Sequence, residues 1–161
     1  MLTIARLTED GWRAAREVRL RALALDPSAF GSTHEREQAY GEDDWRARLA
    51  SGSWFVAQGE DGSPVGLATL RRRDGEHADY EVNSMWVQPE LRGQRIGEAL
   101  LDAVLAEARS LGARAVLLWV TIGNDAATQL YLRRGFVPTG HTEPLRSDPR
   151  LSVAEYLLAV V

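Results

Sequence analysis

Residues 88–100, Gln-Pro-Glu-Leu-Arg-Gly-Gln-Arg-Ile-Gly-Glu-Ala-Leu, carry the clearest chemistry in the chain. Pro89 cannot donate to a strand ladder, and Gly93 and Gly97 let the backbone turn tightly. Behind them, Ile96, Ala99, Leu100, Ala103, Val104, Ala108 and Leu111 recur at the spacing of a helix with one buried face. A turn that opens a long helix aims unpaired N–H groups outward at the positive end of the helix dipole. Phosphate is the natural occupant of such a turn. The same residues read with equal weight as a plain strand-to-helix turn. Two familiar phosphate motifs do not fit. A Walker A loop ends in Gly-Lys-Ser/Thr, and the chain has no lysine. A dinucleotide fingerprint needs a third glycine and an acidic residue about 20 positions on, whereas the next strand, Ala115–Val120, runs into Thr121 and Ile122.

The elements that must hold this loop follow from periodicity. Residues 1–7 alternate as a first strand, and Thr8-Glu-Asp10 starts a helix continued by Trp12, Val18, Leu20, Leu23 and Leu25. Residues 27–41 are irregular, and a short helix is expected over Asp43–Ala50. Trp54–Ala57 and Val65–Leu70 read as strands joined by the turn Gly59–Gly62. Arg71, Arg72 and Arg73 fall at a solvated hairpin end leading into the strand Tyr80–Val87. Gly112 suits a helix C-cap, Ala115–Val120 a strand covered on both faces, and Asn124 the N-cap of a helix closed by Gly135. Phe136–Val137 and Val153–Val160 supply the last strands, separated by a polar loop from Gly140 to Leu151. The order β-α-α-β-β-β-α-β-α-β-β predicts an α/β fold with a central mixed sheet and helices on both faces.

The 161 residues predict one domain, 1–161, large enough for a real core. No apolar run approaches the roughly 20 residues of a membrane span, and the N-terminus does not read as a signal peptide, so the cytoplasm is expected. Zero cysteines exclude disulfides and a thiol nucleophile. A net charge of −4 argues against a broad nucleic-acid surface. All 19 basic side chains (lysine and arginine together) are arginine. His34 and His77 have no partner by spacing, and no metal is expected.

Two segments resemble the GNAT (GCN5-related) N-acetyltransferases. Arg92-Gly-Gln-Arg-Ile-Gly97 resembles the family's Arg/Gln-x-x-Gly-x-Gly/Ala loop. Asn124-Asp-Ala-Ala-Thr-Gln-Leu-Tyr-Leu-Arg-Arg-Gly-Phe136 resembles its Asn-x-x-Ala-x-x-x-Tyr-x-x-x-Gly-Phe segment. Ser84-Met-Trp-Val87 looks like the family's bulged strand, and the element order matches from end to end. The resemblance implies a cytoplasmic acyltransferase that uses acetyl-CoA as co-substrate. The amides of Arg92, Gly93, Gln94, Arg95, Ile96, Gly97 and Glu98 would hold its pyrophosphate. The backbone of Met85, Trp86 and Val87 would pair with pantetheine, and Asn124 would contact the pantetheine or pyrophosphate region. Arg95 departs from the family's first glycine, so its backbone either keeps φ below zero or carries strain.

In that chemistry a neutral amine attacks a thioester, an oxyanion forms and a thiolate leaves. Tyr131, which the resemblance puts near the sulfur, is the expected general acid, since thiol and phenol pKa values of about 8.5 and about 10 permit transfer. Asn124 and Tyr131 are seven residues apart, close to two helical turns, and so share a face. Glu81 aligns with the base glutamate of the histone-acetyltransferase branch, and reads equally as an exposed strand carboxylate. Strand alternation puts Glu81, Asn83 and Met85 on one face, and Tyr80, Val82, Ser84 and Trp86 on the other. Phe30, Glu35, Glu37 and Tyr40 are expected on one wall of the acceptor site, and His141, Glu143 and Arg146 on the other; the carboxylates would suit a cationic amine. The expected function is acetyl transfer from acetyl-CoA to a primary amine of a small molecule, with no nucleic-acid or membrane partner and with a homodimer left open. A peptide N-terminal acetyltransferase and a non-catalytic acyl-CoA-binding module are the alternatives.

Overall fold

The computed structural model describes residues 2–160. The chain builds one seven-stranded sheet: β1 (Thr3–Leu7), β2 (Gly52–Gln58), β3 (Pro64–Arg72), β4 (Tyr80–Val87), β5 (Ala115–Thr121), β6 (Val137–Leu145) and β7 (Asp148–Ala159). Their spatial order is β1-β2-β3-β4-β5-β7-β6. Neighbours are antiparallel except β4 and β5, which run parallel. The helices are α1 (Trp12–Leu25), α2 (His34–Gln38), α3 (Glu42–Ala50), α4 (Ile96–Ser110) and α5 (Asp125–Arg133). One core lies between the sheet and α4 with α5, built on Leu100, Leu101, Val104, Leu118 and Phe136. The other lies beneath α1 and α3, built on Val18, Leu23, Trp45, Trp54 and Leu67. Val116, Leu118 and Val120 of β5 belong to the first core, and the second contains no β5 residue.

Three expectations are corrected. The irregular stretch 27–41 contains α2, a single extra helix whose N-cap is Thr33, the hydroxyl accepting from the Arg36 amide at 3.2 Å. It is too short and too polar for an apolar period to show. The polar loop 140–151 is instead a hairpin, β6 and β7 meeting at Arg146-Ser147. β6 is an edge strand exposed from Val137 through Pro144, so it carries no alternating pattern to read.

The third correction concerns the faces of β4. Leu67 pairs with Trp86 and Thr69 with Asn83, so Ser84 and Met85 together stand opposite Ala68. This is a β-bulge, and Ser84 takes a left-handed backbone, φ +60°. One extra residue exchanges the faces beyond it. Tyr80, Val82, Met85 and Val87 therefore all pack toward α4, whereas Trp86 packs toward α1.

Gly66 on β3 lets α4 approach the sheet. A β-carbon there would lie 3.0 Å from Leu100 Cδ1 and 3.1 Å from the Trp86 carbonyl oxygen. Gly66→Ala is expected to destabilise the fold by about 1–3 kcal/mol, the usual range for overpacking, read as a lower denaturant midpoint with an unchanged m-value.

Candidate active site

β4 and β5 hydrogen-bond only through Tyr80–Val116 and Glu81–Leu117. Beyond these pairs the strands part, and a cleft of about 1980 Å³ opens between them. Met85, Trp86 and Val87 line it from β4, and Asn124, Leu130 and Tyr131 from the region of α5. The bulge at Ser84 lies within the parted stretch, three residues past the last paired position.

The start of α4 closes one end. Gly93 and Arg95 both have left-handed backbones, φ +83° and +63°. Of the two permitted outcomes at Arg95, strain is the one realised. No hydrogen bond from the amides of residues 93–98 is present among the described residues; the first engaged amide is that of Ala99, to the Arg95 carbonyl at 3.1 Å. Arg95, Ile96, Gly97 and Glu98 line the cleft with Arg92 and Gly93, whereas Gln94 is exposed outside its lining. Open amides at a helix N-terminus are a geometry that suits an anion.

Side chains brace it. The Arg92 guanidinium donates to the Val87 carbonyl at 2.9 Å and to Asp26 at 2.7 Å. Asp26 also accepts the Trp86 indole N–H at 2.7 Å. Glu98 faces Arg133 at 3.2 Å and Arg134 at 3.6 Å, tying α4 to α5 across the cleft. The sequence marked Arg92 and Glu98 for their amides; their side chains serve as struts.

Asn124 caps α5, accepting from the Ala127 amide at 3.3 Å, and lines the cleft. Tyr131 is 5% exposed, its ring set edge-on to Phe136 at 6.0 Å. Its hydroxyl has no hydrogen-bond partner among the described residues. Burial raises its phenol pKa well above the usual value, so the group stays protonated at every ordinary pH. Glu81 accepts from the Asn83 side chain at 2.6 Å and lies 3.9 Å from Arg73. Thr69 and Arg71 share its face of the sheet.

The far half of the cleft holds residues that sequence reasoning missed. Arg19, on the apolar face of α1, donates through Nε and Nη2 to both oxygens of Glu37, each at 2.9 Å, and through Nη1 to Ser84 at 3.0 Å. Arg48 adds a third bond to Glu37 at 2.9 Å, its guanidinium 4.6 Å from the Trp45 ring and 5.5 Å from that of Trp54. Glu37 is 2% exposed. Burial pushes its pKa up, but the bond and charge of Arg19 and the charge of Arg48 prevail and hold it at about 2. Glu37 is therefore a consumed structural charge and not a free carboxylate for a cationic amine. An arginine interrupting the apolar stripe of α1 was the available signal, but its partner lies in another helix.

Of the remaining acceptor residues, Phe30, Tyr40, Glu143 and Arg146 line the cleft. Glu35 and His141 do not; His141 packs edge-on to Trp119 at 5.5 Å and lies 3.6 Å from Glu143. Among the described residues no cluster fit for a metal occurs, and no helix is long and apolar enough to cross a membrane.

Residues 14–136 match the family model described as the acetyltransferase (GNAT) family. The chain is 44% identical over 122 residues to a mycothiol acetyltransferase of Geodermatophilus obscurus, covering 71% of this chain and 39% of that protein. It is 35% identical over 95 residues to an IAA acetyltransferase of Azospirillum brasilense, covering 59% and 61%. The chain thus spans less than two thirds of the curated relatives it matches. A Salmonella typhimurium acetyltransferase solved with acetyl-CoA superimposes with a TM-score of 0.78 at 23% identity, over 100% of this chain and 95% of that one.

Glu37 makes the protein acid-sensitive in a defined window. Its folded pKa of about 2 lies below the ordinary 4.5, so its stabilisation is complete above about pH 4.5 and is lost as pH falls toward 2. Glu37→Gln should cost about 3–5 kcal/mol at pH 7, because two arginines lose their shared anion. Urea titrations across that window should show a shallower pH slope for the variant than for the parent.

Proposed function

The chain belongs to the GNAT acetyltransferase family, and we propose that it transfers an acetyl group from acetyl-CoA to the primary amine of a small molecule. The observation that carries this reading is the parting of β4 from β5 directly beside six unengaged amides at the start of α4. Backbone donors of an open strand suit a pantetheine arm, and the amide cradle suits a pyrophosphate. Asn124 offers its free N–H group between them. Acetyl-CoA supplies the activated acetyl group, and coenzyme A leaves as a thiolate when the acetyl carbon–sulfur bond breaks.

Tyr131 donates the proton that the departing sulfur needs. Burial keeps the phenol protonated but also weakens it as an acid, so the transfer relies on the ring packed on Phe136 holding the hydroxyl in one place. Glu81, oriented by Asn83, takes the proton that the attacking amine releases, directly or through water. Strand backbone near Trp86 and Val87 offers donors for the oxyanion. A small acceptor is favoured over a peptide by the β6–β7 hairpin. The Ser147 hydroxyl bonds to the Phe30 carbonyl, and a β-carbon on Gly31 would meet the Arg146 guanidinium at 3.5 Å, so this wall is closed. The relatives' names point to mycothiol and IAA and not to a protein acceptor.

Acetyl-CoA at 100 times its Kd should stabilise the fold by about 2.7 kcal/mol, read as a rise in Tm, with NADH and ATP far less effective. Equal shifts from all three would reduce the loop to generic phosphate binding.

Tyr131→Phe should keep acetyl-CoA affinity while turnover on a good amine drops by roughly 10²–10⁴-fold. Because the phenol pKa is raised, no rate loss from its ionisation is expected in the parent below about pH 10. The stability contributed by the neutral phenol is likewise intact below that value and fades as pH climbs further. Parental turnover in the Phe variant would remove Tyr131 as the acid and leave the binding-module alternative standing.

Arg95 separates strain from charge. Arg95→Gly should raise stability by up to about 1 kcal/mol, since glycine accepts φ +63° freely, while weakening acetyl-CoA binding. Arg95→Ala should weaken binding without the gain. Unaltered affinity in both variants at low salt would show that the side chain faces solvent.

A further inference from the structure

The carboxylates in the acceptor half of the cleft are mostly engaged. Glu37 is held by Arg19 and Arg48, Asp44 accepts the Gly41 amide at 2.9 Å, Glu81 is met by Asn83, and Glu143 lies beside His141. The arginines are the groups left over. Arg36, Arg71 and Arg146 line the same half, and their guanidinium groups have no ion-pair or hydrogen-bond partner among the described residues. Arg48 spends one hydrogen bond on Glu37 and holds the rest of its fork beside three aromatic rings. Two guanidinium groups share the single charge of Glu37, so even the buried part of the cluster carries a surplus positive charge. Arg36, Arg71 and Arg146 are exposed, so their planar forks are open to an anion that enters the cleft.

The placement of Arg71 gives that anion an address. Arg71 and Glu81 are directly opposite partners on β3 and β4, on the face that looks toward α1 and α3. Opposite side chains on one face start about 5 Å apart, yet these two make no ion pair. Both line the cleft, and Arg71 leans over Gly52, where a β-carbon would sit 3.3 Å from its Cγ. Gly52 directly follows Ser51, the C-cap of α3, and Arg48 stands in the last turn of that helix. A carboxylate and two cationic forks thus border one short stretch of cleft floor.

We propose that the acceptor is an amine carrying an oxyanionic group within a few bonds of its nitrogen, as an amino acid does, with the oxyanion held by Arg71 and Arg48 and the nitrogen turned toward Glu81. This rests on the acetyltransferase reading and narrows its acceptor. It reverses the expectation of a purely cationic amine. A planar guanidinium meets a carboxylate through two parallel N–H donors, which fixes orientation as well as charge.

The test uses α-amino acids, their decarboxylated amines and the matching 1-aminoalkylphosphonates, read by coenzyme A release. The acids should exceed their amines by roughly 10- to 100-fold in kcat/KM, mostly through KM. Arg71→Gln, at an exposed position with no partner to lose, should bring that ratio close to one. Phosphonates outrunning carboxylates would keep the oxyanion and change its source. Amines equal to or better than acids, or an acid-to-amine ratio unmoved in Arg71→Gln, would overturn the inference. Binding is read separately, as the Tm shift each compound produces with coenzyme A present. If nothing is acetylated but the acids alone shift Tm, the transferase reading fails and this one holds. If acids and amines then shift Tm alike, this inference fails as well.

Discussion

Arg19 is the contact on which the open cleft depends. Its guanidinium binds Glu37 of α2 through two donors and the Ser84 hydroxyl through a third, so one side chain joins α1, α2 and the bulge of β4. Ser84 holds a left-handed backbone that costs a non-glycine residue on the order of 1–3 kcal/mol. A hydrogen bond to a charged group contributes about 1.5–3 kcal/mol, enough to offset that strain. Without the bulge, β4 would keep its alternation and Met85 and Val87 would turn away from α4. The ion pair is buried to hold a strand in an irregular shape, and the irregular shape is what leaves strand backbone free for a ligand.

The same economy of means recurs around the cleft. Arg92 joins the phosphate-type loop to Asp26 and, through it, to Trp86; Glu98 and Asp102 meet Arg133 and Arg134 between α4 and α5. In a chain without lysine, each strut is a planar fork able to hold two or more acceptors at once. Several of these pairs are half-exposed, so each adds little to global stability. Their effect is local, fixing where the helix N-terminus and the capping Asn124 stand relative to the open strand.

Much of this was legible in the sequence. The α4 stripe keeps one helical period, the apolar run of β5 marks a covered strand, Asn124 and Gly112 are local cap signals, and the strand Tyr80–Val87 is bounded by turn residues. The bulge was implied only by resemblance, and strand alternation read without it put Met85 and Trp86 on the wrong faces. β6 was illegible because both of its faces meet solvent, and a polar edge strand looks like a loop. α2 was too short to show a period. Glu37 was visible as a residue but not as a role, because its two arginines come from α1 and α3.

That last case decides how charge in the acceptor half is to be read. Counted along the chain, Glu35, Glu37 and Glu143 suggest a negative wall. In space Glu35 lies outside the cleft lining, Glu37 is neutralised twice over, and Glu143 sits beside His141. What a ligand meets is the remainder after internal pairing, and a residue buried in a satisfied pair is silent toward it. The remainder here is guanidinium, set opposite one oriented carboxylate. A net charge of −4 for the whole chain is no guide to that local sign, since screening confines exposed charges to about 8–10 Å. A cleft can therefore select an anion within a protein that is acidic overall, provided its own carboxylates are spent on holding its walls.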